Sequence, residues 1–533
     1  MSNYDVVIAG YGPTGAVAAN LLGAKGHRVL VVEPALTVYD IPRAVHFDGE
    51  VMRIFQALGL GEEIHNMAAP GKMIKFVNDR GWTLFQQDLS VVKRQHGWFN
   101  NLFFAQPRLE TCLRTTLENL PNIDVMLGWK VSGVDTHGAD KRTVDLQVTP
   151  MTGENSDSQR ITAGYLLACD GANSPVRKML KMEQEDLDCD EPWLVCDLEL
   201  EEGAQFNRTA IQICDPSRPA SLIPCENNHI RWEFMLNKSD EVSYMEDENN
   251  VRSLMSGHLH HLSPDLKSTD GKLIRAKVYT FHALIAKNFQ LDRVFLLGDA
   301  AHQMPPFLGQ GMCAGMRDAY NLSWKLSGVL NGDYSPKLLT TYNTERRVHV
   351  RKTVETAVAH GAIIQTKFWP KAFVRDTYLM LGRVFPWLVR FLKFGEGVSL
   401  GNGLLMTDPE GKPTKPVGEP LPQSWVTSTT NASASPIRSD DLLTEKFTVI
   451  GFGIDPLSIM AELSDYDWLD TLHFGSGGSV QETDGEIMNW VAENNVAVAI
   501  LRPDRQVYGI CKSASYAGAE LPAMIATLIK QLH

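Results

Sequence analysis

Apolar residues fall first in an unbroken run, Val6-Val7-Ile8-Ala9, then at helical spacing from Thr14 to Ala24, then in a second run from His27 to Val32. An unbroken run suits a strand covered on both faces, and the helical period suits a helix laid against it, so a βαβ unit opens the chain. The loop IPRAVHFDGE leads into a second helix with Val51, Ile54, Phe55 and Leu58 on one face. Residues 72 to 104 read as strands and turns, and QPRLETCLRTTLENL as a helix that starts after Pro107. The stretches IDVMLGWKVSGVDTH and TVDLQVTP alternate as an antiparallel pair would, and GYLLACDG is a strand ending at a glycine turn.

From residue 182 to 285 the texture changes: WLVCDLEL, TAIQIC, HIRWEFML and KVYTFHAL are strand-like and stand between polar, acidic loops. RVFLLGDAAH returns to a buried strand, a long helix starts at Met312, and residues 338 to 395 are mostly helical. Within them YLMLGRVFPWLVRFLKF interleaves Arg383, Arg390 and Lys393 with apolar residues and holds Pro386, which fits a packed or interface helix better than one lying on a membrane. A segment rich in Gly, Pro, Ser and Thr, residues 396 to 441, reads as a linker. After it, KFTVIGFG and VAVAILRPDRQVYGIC are strands and AELPAMIATLIKQL a closing helix, a separate α/β module over 442 to 533.

Chemistry enters with the first turn. Gly10, Gly12 and Gly15 make a G-x-G-x-x-G spacing between strand and helix, and Glu33 ends the next strand. Gly10 allows the tight turn, Gly12 lets backbone approach a pyrophosphate, Gly15 lets helix and strand close up, and Glu33 can accept from ribose hydroxyls. The blocks therefore predict an α/β chain with a Rossmann-type dinucleotide domain in two parts, 1 to 181 and 286 to 395, and a β-rich domain, 182 to 285, inserted between them. NAD and FAD share the half of the ligand that this motif reads.

Composition narrows the partners. A net charge of −13 with no basic block argues against nucleic acid. No apolar run is long enough to span a membrane, and the chain enters a strand at once without a secretory signal. Eight scattered cysteines without a C-x-x-C fit reduced thiols in a cytoplasm and no metal site. The last module, with Cys511 alone, cannot do dithiol chemistry.

The stretch RVFLLGDAAHQMPPFLGQGMCAGMRDAYNLSWKL decides between the cofactors. Asp299 at a strand end can accept from a polyol chain, and Gly309 and Gly311 let backbone approach a flat ring. The helix from Met312 turns its positive end toward that ring, where a reduced flavin is negative. With G-x-G-x-x-G at 10 to 15, CDGANSPVR at 169 to 177 and GDAAHQMPPFLGQG at 298 to 311, the chain resembles the class A flavoprotein aromatic hydroxylases over about residues 3 to 395. IPRAVHFDGE, QPRLE, CDPSRP, RWEFM and VYTFH look most like 3-(3-hydroxyphenyl)propionate hydroxylases, with phenol and resorcinol hydroxylases close.

The resemblance implies a p-hydroxybenzoate hydroxylase-like fold, a thioredoxin-like last module, bound FAD, and NADH or NADPH as a visiting cosubstrate. Oxygen then adds to the reduced flavin, and the C4a-hydroperoxide passes OH to an electron-rich ring. The resemblance also implies that Glu33 holds the adenosine ribose and that Arg43 and Gln106 lie along the FAD. Asp170 serves FAD and the passing nicotinamide, Asp299 holds the ribityl chain, and Gly311 and Met312 offer N–H groups to the flavin ring. Asp48 is the first candidate for activating the phenol and His46 the second, against a helix cap and a surface imidazole as the plain alternatives.

Arg231, Tyr279, His282 and Pro305 are candidates for the substrate pocket, with a structural ion pair of Arg231 as the alternative. The expected partners are a small aromatic substrate, O2 and, for the assembly, a homodimer. A flavin disulfide reductase would need a cysteine pair near the first helix, and residues 34 to 60 hold none. A non-catalytic FAD-binding protein remains the rival of another class.

Overall fold

The apolar strand Tyr4–Ala9 lies inside a sheet, hydrogen-bonded in parallel to Val29–Glu33 on one side and Gln159–Ala168 on the other. The computed structural model describes all residues except 1–2, 42, 92–94, 137–141, 153–156, 227, 393–397 and 430–434. Val294–Leu296 extends the parallel set next to Gln159–Ala168, so the third motif returns to the first one's sheet. The helices Pro13–Gly23 and Gly311–Asn331 pack on each other in the largest core cluster. Two fingerprints more than 280 residues apart therefore open side by side.

The stretch read as one half of an antiparallel pair is two strands. Gly128 takes a left-handed φ of 75° and breaks it. Ile123–Leu127 runs parallel to Val29–Glu33, and only Trp129–Asp135 pairs antiparallel with Val144–Pro150.

The second sheet holds the five strands Gln184–Glu199, Thr209–Cys214, Ala220–Pro224, His229–Met235 and Lys272–Ala286, with His302–Gln303 at one edge. It also takes in Met73–Asn78 and Thr83–Asp88 at the other edge, so it is wider than the segment 182 to 285. Alternation showed these two as strands but carries no record of which sheet they join. One face of the sheet covers its own core, with Ile230, Trp232 and Phe234. The other turns to the dinucleotide domain.

The third sheet has seven strands, and Trp425–Ser428 and Ile437–Arg438 belong to it although they lie in the segment read as linker. Helix Ala514–Leu532 closes this module. Cys511 is buried within it, and burial pushes its thiol up to about 12, which keeps it protonated and unreactive.

Buried charges lock the last module to the rest. Arg53 makes a bidentate pair with Asp440 at 2.7 and 2.9 Å and donates to the Leu421 carbonyl. Deeper in the seam Glu345 accepts from Lys325 at 2.7 Å and from both terminal nitrogens of Arg502 at 2.9 Å, and Arg502 also reaches Asp504. Removing one partner of such a buried set leaves a desolvated charge. Arg502→Met is thus expected to cost about 3–5 kcal/mol. The check is a clearly lower urea midpoint for the seam, and a midpoint equal to the parent's would contradict this reading. Among the described residues no helix is long and apolar enough to cross a membrane.

Candidate active site

The first turn has the shape its glycines demand. Gly10 sits at a φ of 99°, where a Cβ would lie 2.4 Å from the Cys169 carbonyl oxygen. A Cβ on Gly15 would lie 2.1 Å from the Gly10 oxygen, whereas one on Gly12 would meet nothing within 4 Å. The helix that starts there has no side-chain cap, so its first N–H groups are left for a ligand to meet. Tyr11 N donates to Glu33 at 2.7 Å, and Arg114 braces the turn by donating to the Tyr11 carbonyl and lying 4.2 Å over its ring. Sequence reasoning missed Arg114, whose place on the helix Gln106–Leu117 gives no local sign of that target.

Gln106 starts the same helix and accepts from Arg43 N at 3.0 Å and Ala44 N at 2.6 Å, which fixes the loop that carries Arg43. Arg43 itself is exposed at 4.8 Å from the Tyr39 ring. Asp170 accepts from Val176 N at the start of a short helix through one oxygen, while its other oxygen is buried without a partner. Burial raises its carboxyl above the ordinary range, so a donor from a ligand would relieve it.

Asp299 is exposed at its own surface yet surrounded by protein, and that crowding raises its carboxyl. Gly298 beside it donates to Asp318, which is fully buried and also holds His302 at 2.7 Å and Arg346 at 2.7 Å. His302 is scaffold. Thr14 of the first helix fits against Gly298 and Gly315, where a Cβ would fall 2.8 and 2.3 Å from its hydroxyl. The two fingerprints are pressed together there.

The second helix N-terminus is open as well. Gln310 precedes Gly311–Asn331 without a side-chain cap, and Gly311 and Met312 form its first turn. Gly309, left-handed at φ 64°, would place a Cβ 2.8 Å from His46 Nδ1. His46 lies 3.4 Å from the Gly309 oxygen and 3.1 Å from Asn101, with its ring 5.7 Å from Phe103. Burial lowers the His46 pKa, and the Asp48 carboxylate pulls it back up.

Asp48 is the N-cap of Gly49–Ala57, accepting from Val51 N at 3.1 Å. Its other oxygen accepts from Gln310 at 3.0 Å and Arg317 at 2.5 Å, and Arg317 also reaches Glu50. Burial works against the charge, yet Arg317 prevails and holds the Asp48 carboxyl far below the usual carboxylate range. Arg317 went unnoticed in the sequence. Its sign was there, an Arg-Asp pair set among buried apolar positions of a long helix.

An aromatic wall lies next to this corner, and Phe103, which meets the His46 ring, packs against it. Pro305 is buried and leads to Phe307, which meets Trp193 edge-on at 5.5 Å, and Trp193 stacks on Phe281 at 6.0 Å. Tyr279 pairs in register with Trp193 and lies half-exposed near Arg275. His282 projects from the opposite face of its strand and pairs with Asp190 at 2.5 Å. Arg231 is buried, pairs with Asp197 at 2.8 Å and donates to the Arg43 carbonyl at 2.6 Å. It ties the sheet to the Arg43 loop.

Comparison with known families agrees with this geometry. Residues 3–357, about two thirds of the chain, match the family described as "FAD binding domain". A 3-(3-hydroxy-phenyl)propionate/3-hydroxycinnamic acid hydroxylase of Burkholderia cenocepacia is 30% identical over 96% of this chain and 95% of its own. The chain belongs to the FAD-dependent aromatic hydroxylases. A probable NADH-specific resorcinol 4-hydroxylase of Rhodococcus jostii is 31% identical over 98% of this chain and 94% of its own. The fold is also that of the flavin-dependent monooxygenase PieE, solved with FAD and substrate, at a TM-score of 0.78, 19% identity and 99% coverage of both chains. Residues 418–527 match the HcaD C-terminal domain, a module that begins within the segment read as linker.

The residues present fit FAD. The free space beside Gly12, the unpartnered oxygen of Asp170, the exposed carboxylate of Asp299 and the uncapped helix end at Gly311 are the features such a ligand requires.

Proposed function

We propose that this enzyme hydroxylates a phenolic ring beside an existing hydroxyl, consuming O2 and NADH or NADPH and releasing water. The substrate class we favour is a 3-(3-hydroxyphenyl)propionate-like phenol, and the names of the relatives support it. The one observation that carries the reading is the meeting of His46 and Asp48 with the open Gly309–Met312 turn, beside the aromatic wall of Trp193, Phe281 and Phe307.

When bound, FAD supplies the redox chemistry, taking two electrons from the nicotinamide and turning O2 into an electrophile for the ring. The protein's part is positioning and proton handling. Glu33, Arg43, Gln106 and Asp170 hold or shape the nucleotide half, and Asp299, Gly309, Gly311 and Met312 the flavin half. The aromatic wall orients the phenol and excludes water, with Pro305 and Tyr279 at its margin.

His46 takes the phenol proton, since a lowered pKa leaves it neutral at pH 7. Asp48 acts through His46: tied to Arg317 it has little proton affinity of its own, but its charge sustains that of the imidazole. Arg231 serves by holding the Arg43 loop. The enzyme works as a homodimer, in a reducing compartment such as the cytoplasm where its eight unpaired cysteines stay reduced.

The test is a panel of phenols with and without a propionate chain. Preferred kcat/KM for the meta-hydroxylated propionate supports the substrate class, and equal values for bare resorcinol would move it to that relative's substrate.

A further inference from the structure

The strongest unexplained surface lies on the helix Trp369–Val384 and the turn after it. Its inner face is accounted for. Ala372, Leu379 and Gly382 are buried, Leu379 joins the aromatic cluster of Trp193 and Phe307, and Arg375 and Arg383 donate to the carbonyls of Cys214 and Thr83. Lys393, at the end of the apolar stretch noted in the sequence, lies outside the described residues.

The outer face is the anomaly. At 3.6 residues per turn, Phe373, Val374, Tyr378, Leu381, Val384 and Phe385 fall in one sector of about 140° that holds no charged residue. Phe373 is 73% exposed, Val384 70% and, just beyond, Trp387 69%. Trp369 and Phe368 extend the strip at its start, 58% and 62% exposed. A solvent-facing helix side is normally polar; this one is the reverse.

We propose that this strip is the surface on which a second copy of the chain docks, two such helices pairing across a two-fold axis. Area argues for it. An aromatic side chain offers about 150–250 Å², so six half-exposed aromatics with Val374, Leu381 and Val384 present roughly 800 Å². That is about one partner's share of a stable interface, and it exceeds the roughly 300–600 Å² apolar patch of an ordinary monomer. Composition argues the same way, with Trp, Phe and Tyr at the centre and Lys371 at the border, where a rim is polar. An anionic bilayer is the other surface that fits aromatic and basic residues, but the chain's charge of −13 opposes it. A copy of the chain is also always present to cover the strip.

The experiment is sedimentation of the FAD-loaded enzyme at micromolar concentration, for the parent and a Phe373→Asp, Leu381→Glu double variant. The parent is expected at two chain masses and the variant at one, with FAD content and turnover unchanged. If the charged variant loses FAD, the uncharged pair Phe373→Ser, Leu381→Gln replaces it and must weaken the dimer at least about tenfold, as loss of central contacts does. A parent of one chain mass, or a dimer that either variant leaves intact, overturns the proposal. So does a single-chain parent that cosediments with phosphatidylglycerol vesicles, which assigns the strip to a bilayer.

Discussion

Asp48→Asn is expected to fold, keep its FAD, and hydroxylate about 10²-fold more slowly, at the lower end of what general-base help supplies. Asparagine still caps the following helix, because it accepts from Val51 N about as well as aspartate does. What it loses is charge. Arg317 then keeps only Glu50 as its counter-ion, and the loss of the Asp48 charge lowers the imidazole pKa further. A weaker base takes the phenol proton less readily, so reducing equivalents leak to hydrogen peroxide. The acid limb of the pH profile for kcat/KM should also move to lower pH, which loss of a cap alone would not do. Parent-like coupling and an unmoved acid limb would leave Asp48 as a cap only.

Asp299→Ala is expected to yield protein that loses its yellow colour on gel filtration. Its side chain accepts no hydrogen bond within the protein among the described residues, so its removal disturbs little there while a ligand's hydroxyls lose their acceptor. An unmet buried hydrogen bond costs about 1–3 kcal/mol, or roughly 5- to 150-fold in the Kd for FAD. The flavin-to-protein absorbance ratio after gel filtration checks this. Full retention of FAD would place the ribityl chain elsewhere.

The glycine turn was legible because its demands are local. A left-handed Gly10 and a Gly15 touching the Gly10 oxygen can be inferred from spacing in one βαβ unit. The cap at Asp48 was legible for the same reason. Its clamp was not, since Arg317 arrives from a helix 269 positions away and no local pattern records that approach. Strand patterning marked both Met73–Asn78 and Thr209–Cys214 as strands but not that they pair in parallel. It marked His229–Met235 as two-faced, and the structure gives the apolar face to the sheet's own core and Arg231 to Asp197. The stretch from Tyr378 reads as a packed or interface helix, but a period cannot tell which of its two apolar sides meets the core.

The central claim is oxygen transfer to a phenol, and one measurement reaches it directly. The enzyme is given NADH, 3-(3-hydroxyphenyl)propionate and isotopically heavy O2, and product, peroxide and spent NADH are counted together. Phenol-stimulated NADH oxidation is expected, with nearly equimolar dihydroxylated product and one heavy oxygen atom in its new hydroxyl. NADH oxidation that no phenol stimulates, with all the oxygen recovered as hydrogen peroxide, would contradict it.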